Sequence, residues 1–150
     1  MESTDNRLVL MTPGKFKPGG SVRMQDLLII GLGGFTGAIL RYALNGLVQT
    51  STQTSSFPFG TLVINLLGCI VMGALSQLVE SFGLFSAGTR SFIFIGLLGA
   101  FTTFSTFGNE SVNLLREGNH LLSFLNIGLH IFLGIGAIWL GRLLVVLIWK

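Results

Sequence analysis

Residues 99–107 read Gly-Ala-Phe-Thr-Thr-Phe-Ser-Thr-Phe and set four hydroxyls among three phenylalanines in a segment otherwise fit for lipid. In a bilayer core every hydroxyl must find a partner, so such a cluster marks either a helix–helix seam or a lined path for something polar. An aromatic ring carries a negative face and a positive edge. Phe104 and Phe107, at i and i+3, share a helix face, either as ordinary packing residues or with edges turned toward an anion. After a break in the third span, Thr102 is i, i+3 to Ser105 and i, i+4 to Thr106, so the hydroxyls are expected along one stripe. Asn65 is the strongly polar group of another apolar run, where its amide serves equally well as helix–helix glue or as a ligand, and Gly68 one turn on opens space beside it. Arg41 lies deep in the first apolar run. A buried arginine there costs about 2.5–3.5 kcal/mol on insertion scales, so it either snorkels to carbonyls and the interface or supplies a fixed positive charge to an anion vestibule. Glu110, one turn beyond Thr106, belongs at a mouth rather than at the centre.

These side chains need a membrane scaffold to hold them. The chain has 150 residues, of which 10% are charged, against roughly 25% in soluble domains. Its mean hydropathy is +0.76. Four apolar segments, 27–48, 59–79, 92 to about 115 and 121–149, each reach the ~20 residues that cross a hydrocarbon core. The connections between them are short, so the expected architecture is all-α: one antiparallel bundle of four transmembrane helices with both termini on the same side. Glycine, at 21 residues, fits helices that approach closely through small side chains, as Gly33 and Gly37 do on the first span. Residues 1–23 are polar and turn-rich, and read as a disordered tail ahead of a membrane domain at 24–150. Met24 is a second candidate start. Trp139 reads as a packing residue and Trp149 as an interfacial anchor. Cys69, the single cysteine, reads as a small packing residue, and with His120 and His130 it lacks metal-ligand spacing.

The third span joins Gly96 and Gly99 to the β-branched pair Thr102-Thr103, which loosens helical hydrogen bonding. Either the helix bends or it breaks. A break would free carbonyls, which are natural ligands for a hard cation such as Na⁺.

Three motifs in order, GGFTGAILRY from Gly33, FGTLVINLLGCIVMG from Phe59 and GLLGAFTTFSTF from Gly96, resemble the small fluoride channels of the Fluc (CrcB) type, with the resemblance running from about Met24 to Lys150. It implies a fluoride-selective passive channel in the cell membrane, not an enzyme, that exports fluoride from the cytoplasm. It further implies an interrupted third helix and an antiparallel dual-topology dimer with two fluoride pathways and a central, structural, untransported Na⁺. The backbone carbonyls of Gly99 and Thr102 from both subunits would bind that ion. Phe104 and Phe107 would be the pore phenylalanines, Asn65 a pore amide, and Ser105 and Thr106 part of the hydroxyl-rich region. Arg41 and Glu110 match the family's first-span arginine and its acidic residue after TTFSTF. The fourth span departs from the family's ladder of Ser and Thr, offering Ser123, Asn126 and His130 instead.

A fluoride path must replace a tightly held hydration shell, which only dense donors in a narrow passage offset. A proton-coupled four-span exporter is disfavoured because the first span holds no Asp or Glu inside it. A non-transporting membrane assembly protein would use the same glycine and hydroxyl seams for packing. No partner is expected among nucleic acids. The excess of Arg and Lys on the side of the termini favours a fixed orientation if the tail is native, with an oppositely oriented homologue completing a heterodimer. A start at Met24 removes most of the excess, and a homodimer is favoured.

Overall fold

The computed structural model describes residues 23–52 and 56–149. The 1–22 part of the expected tail and Lys150 lie outside them. The described residues form α1 (Met24–Ser51), α2 (Phe59–Phe82), a third span over Ala87–Arg116, and α6 (His120–Ile148). All four are long and apolar enough to cross a membrane. The third span is composite: α3 (Ala87–Arg90), a π-helical stretch Ser91–Leu97, α4 (Leu98–Phe101), then α5 (Phe104–Arg116).

Consecutive spans run antiparallel, yet the tightest seams join spans that run parallel. On one seam, α1 meets the π stretch. A Cβ on Gly37 would fall on the Leu97 carbonyl, and one on Gly96 would stand 2.9 Å from the Gly33 Cα. On the other seam α2 meets α6, where a Cβ on Gly73 would fall on the Ile138 carbonyl and one on Gly141 on that of Ile70. Small residues let the backbones themselves touch, and dispersion over that contact stands in for the hydrophobic effect that lipid does not supply. Gly83 and Gly118 close α2 and α5 with φ of 60° and 79°, a left-handed turn that a side chain would strain.

Arg142 of α6 and Glu80 of α2 form a bidentate pair at 2.7 and 2.9 Å, assisted by Gln77 at 3.4 Å. Paired in this way, two charges are tolerated inside apolar helices. Ile64 and Leu98 are among the apolar side chains buried in the bundle, while many others project outward, Trp139 among them at 71% exposure, so it faces lipid or a partner rather than the bundle core. Phe82 and Trp149 lie together at the end of α2 and α6, with ring centroids 6.2 Å apart.

Candidate site at the interrupted third helix

The third span stops being helical at Thr102 and Thr103, whose φ, ψ are −82°, 156° and −149°, 105°. Two β-branched residues prefer extended backbone, and the neighbours supply what the helix gives up. The Asn65 amide docks on Thr103 from α2. Its Oδ1 accepts from the Thr103 N–H at 2.9 Å and its Nδ2 donates to the Thr103 carbonyl at 3.3 Å. Gly68 makes this approach feasible, because a Cβ there would overlap the Thr102 methyl. The room that the sequence reading leaves beside Asn65 is filled by the break itself.

Beyond the break, Thr103 caps α5. Its Oγ1 accepts from the Thr106 N–H at 3.2 Å and donates to the Thr106 Oγ1 at 2.7 Å. Thr102 turns its hydroxyl back to the Leu98 carbonyl at 3.0 Å, so it lies outside the helix that carries Ser105 and Thr106. The single stripe expected through these three hydroxyls therefore does not form, because i, i+3 and i, i+4 neighbours need a continuous helix. Ser105 and Thr106 are exposed on the first turn of α5.

In an unbroken helix the carbonyl of Gly99 would accept from the Thr103 N–H and that of Thr102 from the Thr106 N–H. Both donors are diverted, the first to Asn65 and the second to the Thr103 hydroxyl. The surroundings of Gly99 are open, with the Phe94 carbonyl at 3.7 Å the nearest atom to a Cβ built there. No three His, Cys, Asp or Glu side chains cluster among the described residues, so a cation at the break would rest on neutral oxygens, of the main chain or of hydroxyls.

Phe104 and Phe107 touch, with ring centroids 5.4 Å apart and planes 60° apart. Their surroundings differ sharply. Phe107 is buried, whereas Phe104 is 81% exposed on the outside of the subunit. On its other side Phe107 meets the imidazole of His130, at 4.3 Å and 32°.

Glu110 accepts a 2.7 Å hydrogen bond from Thr61. Both line a polar cavity of about 220 Å³ with Asn45, Gln49, Thr52 and the turn at residues 56–60, at the end of the bundle opposite the Glu80–Arg142 pair. Arg41 is half-buried on α1 and makes no hydrogen bond or ion pair to another described residue. A further cluster, which the spacing of α6 does not announce, ties α5 to α6. Ser123 donates to the Ser111 carbonyl at 2.8 Å, Asn126 donates to the Ser111 hydroxyl at 2.9 Å, and Ser111 donates to the Phe107 carbonyl at 2.8 Å. Thr61, the Thr103 main chain and Ser111 escape a reading by spacing in their contacts with Glu110, Asn65 and the Ser123–Asn126 pair, since those partners lie on other helices.

A sequence pattern described as CrcB-like protein, Camphor Resistance (CrcB), matches residues 28–142, from within the first span to within the fourth. The chain belongs to the CrcB-like family. It is a multi-pass membrane protein. Among CrcB-like relatives, the fluoride-specific ion channel FluC 1 of Methanosarcina acetivorans is 47% identical over 120 residues, 80% of this chain and 90% of the relative. The fluoride-specific ion channel FluC of Methanococcus maripaludis is 44% identical over 126 residues, 84% of this chain and all of the relative. That of Campylobacter jejuni is 46% identical over 121 residues, 81% of this chain and 98% of the relative.

Proposed function

We propose that this CrcB-like chain is a fluoride-selective passive channel, active as an antiparallel dual-topology homodimer in the cell membrane, that lets fluoride leave the cytoplasm and so limits its toxicity. The observation that carries the reading is the paired phenylalanines on the turn after the break, one buried and one turned outward with the exposed hydroxyls of Ser105 and Thr106. A second subunit seated against that face would close a narrow path lined by aromatic edges, hydroxyls and the second amide hydrogen of Asn65, which its bond to Thr103 leaves available. A small anion accepts short, strong hydrogen bonds from such donors, whereas a larger one neither fits nor regains its hydration energy. Arg41 raises the local concentration of anions near the entrance.

The diverted donors at the break fit a structural Na⁺. Carbonyl oxygens of Gly99 and Thr102 from two subunits would hold it on the symmetry axis, where it neutralises converging carbonyl dipoles and joins the subunits without being transported.

The test is ion efflux from liposomes holding the purified protein. Fluoride should leave when valinomycin supplies a compensating potassium path, need no proton gradient, and outpace chloride by at least about a hundredfold, on the order of 3 kcal/mol of discrimination. Phe104→Ile should cut the flux while dimers persist on size exclusion. Equal rates for the two anions would overturn the reading.

A further inference from the structure

The aromatic row that begins at Phe104 does not end at Phe107. It crosses to α6, where the His130 imidazole lies over Phe107 at 4.3 Å with the planes 32° apart. His130 Nδ1 is 2.9 Å from the carbonyl of Asn126. A carbonyl only accepts, so Nδ1 carries the hydrogen, and in the neutral ring Nε2 is a bare lone pair. That Nε2 is buried and has no hydrogen-bond partner among the described residues. The anchor is stiff, because Asn126 is itself held by Ser111, and Ser111 by Ser123.

The fixed tautomer has a chemical consequence. Beside Phe107, a neutral His130 offers an electron pair that repels an anion. A protonated His130 offers an N–H that gives a charge-assisted hydrogen bond, and its charge over the face of Phe107 gains a cation–π attraction. The α6 helix has no hydroxyl between Ser123 and the end of the described chain; Asn126 donates to Ser111 and Arg142 to Glu80, and His130 is the α6 side chain that lies against Phe107. We propose that His130 is the α6 donor of the fluoride path and acts only when protonated, so that fluoride passage rises as the pH falls. This rests on the channel reading above.

The other ionisable groups nearby are accounted for. On α5, Glu110 accepts from Thr61 through Oε1 while its Oε2 is buried without a partner among the described residues, which is why Glu110→Gln is needed as a control, and Arg116 stands at the exposed end of the helix. On α2, Glu80 is paired with Arg142 of α6, and Cys69 lies one turn from His130 against Gly134, its Sγ 3.8 Å from a Cβ built there. His120 begins α6 and is exposed.

Fluoride currents in planar bilayers, with equal pH on both sides, decide the matter. As the pH falls from about 8 to about 4.5, the current should rise at least about threefold. His130→Gln, which keeps an uncharged donor, should flatten the profile, and Glu110→Gln should leave the slope in place. A measurable current that ignores pH, or a slope that survives His130→Gln or vanishes in Glu110→Gln, overturns this proposal and leaves the channel reading standing. Absence of fluoride current at every pH overturns both. Nitrogen NMR of histidine-labelled protein, assigned with His120→Gln, reads the tautomer without any transport. A neutral His130 protonated on Nδ1 supports the proposal, and one protonated on Nε2 overturns it.

Discussion

Asn65 and Thr103 act as one unit. A primary amide matches the spacing of a main-chain N–H and C=O, so one side chain satisfies both polar groups of a residue that has left the helix. Asn65→Ala would strand both groups. Each orphaned buried group costs about 1–3 kcal/mol, so thermal stability in detergent should fall measurably and fluoride flux with it. Asn65→Asp keeps the acceptor for the Thr103 N–H while losing the donor, and should fall between the two in melting temperature. If Asn65→Ala melts like the parent, the amide is dispensable to the break.

The third span is an element built to fail at one place. Thr103 supplies the cap that starts α5, and the diverted N–H groups of Thr103 and Thr106 are what leave the Gly99 and Thr102 carbonyls without their helical donors. Thr103→Val keeps the β-branch and removes the cap. It should cost about 1 kcal/mol, and, on the Na⁺ proposal, should also lower the Na⁺ dependence of dimer stability, read by size exclusion after exchange of Na⁺ for a bulky organic cation. Helix packing imposes the opposite requirement on the seam with α1. There Gly37→Ala would push a methyl into the Leu97 carbonyl, and overpacking of this kind costs about 1–3 kcal/mol, to be checked by thermal melting.

For the whole molecule the open question is orientation. Glu80 neutralises Arg142, and Arg23 is paired with Asp26 at 3.0 Å, which leaves Arg90 as the cation among the described residues on the side of the termini that has no acidic partner. The positive-inside rule counts Lys and Arg rather than net charge, so pairing leaves the bias of the sequence in place and labelling has to decide the orientation. Single cysteines at Ser3 and at Glu117, placed after removal of Cys69, should both be labelled from outside intact cells if the homodimer is dual-topology. Labelling at Glu117 alone would mean one fixed orientation and would require an oppositely oriented homologue as partner.

The sequence by itself determined the number and length of the spans, because crossing a hydrocarbon core demands about 20 apolar residues in a row and leaves a contiguous signal. It also located the weak point of the third helix, since the paired β-branched threonines act on their own backbone, and the structure decided that the helix breaks there and does not merely bend. The family was legible for the same reason, its motifs being local runs of residues. Only the tertiary structure decided that Asn65 serves the break, that Thr102 leaves the hydroxyl stripe, that Glu80 finds Arg142, and that His130 continues the phenylalanine row. Each of these joins residues on different helices or on opposite sides of the break. Helical periodicity relates a residue to its own turn and to the next, and it carries no information about which face a neighbouring helix will present.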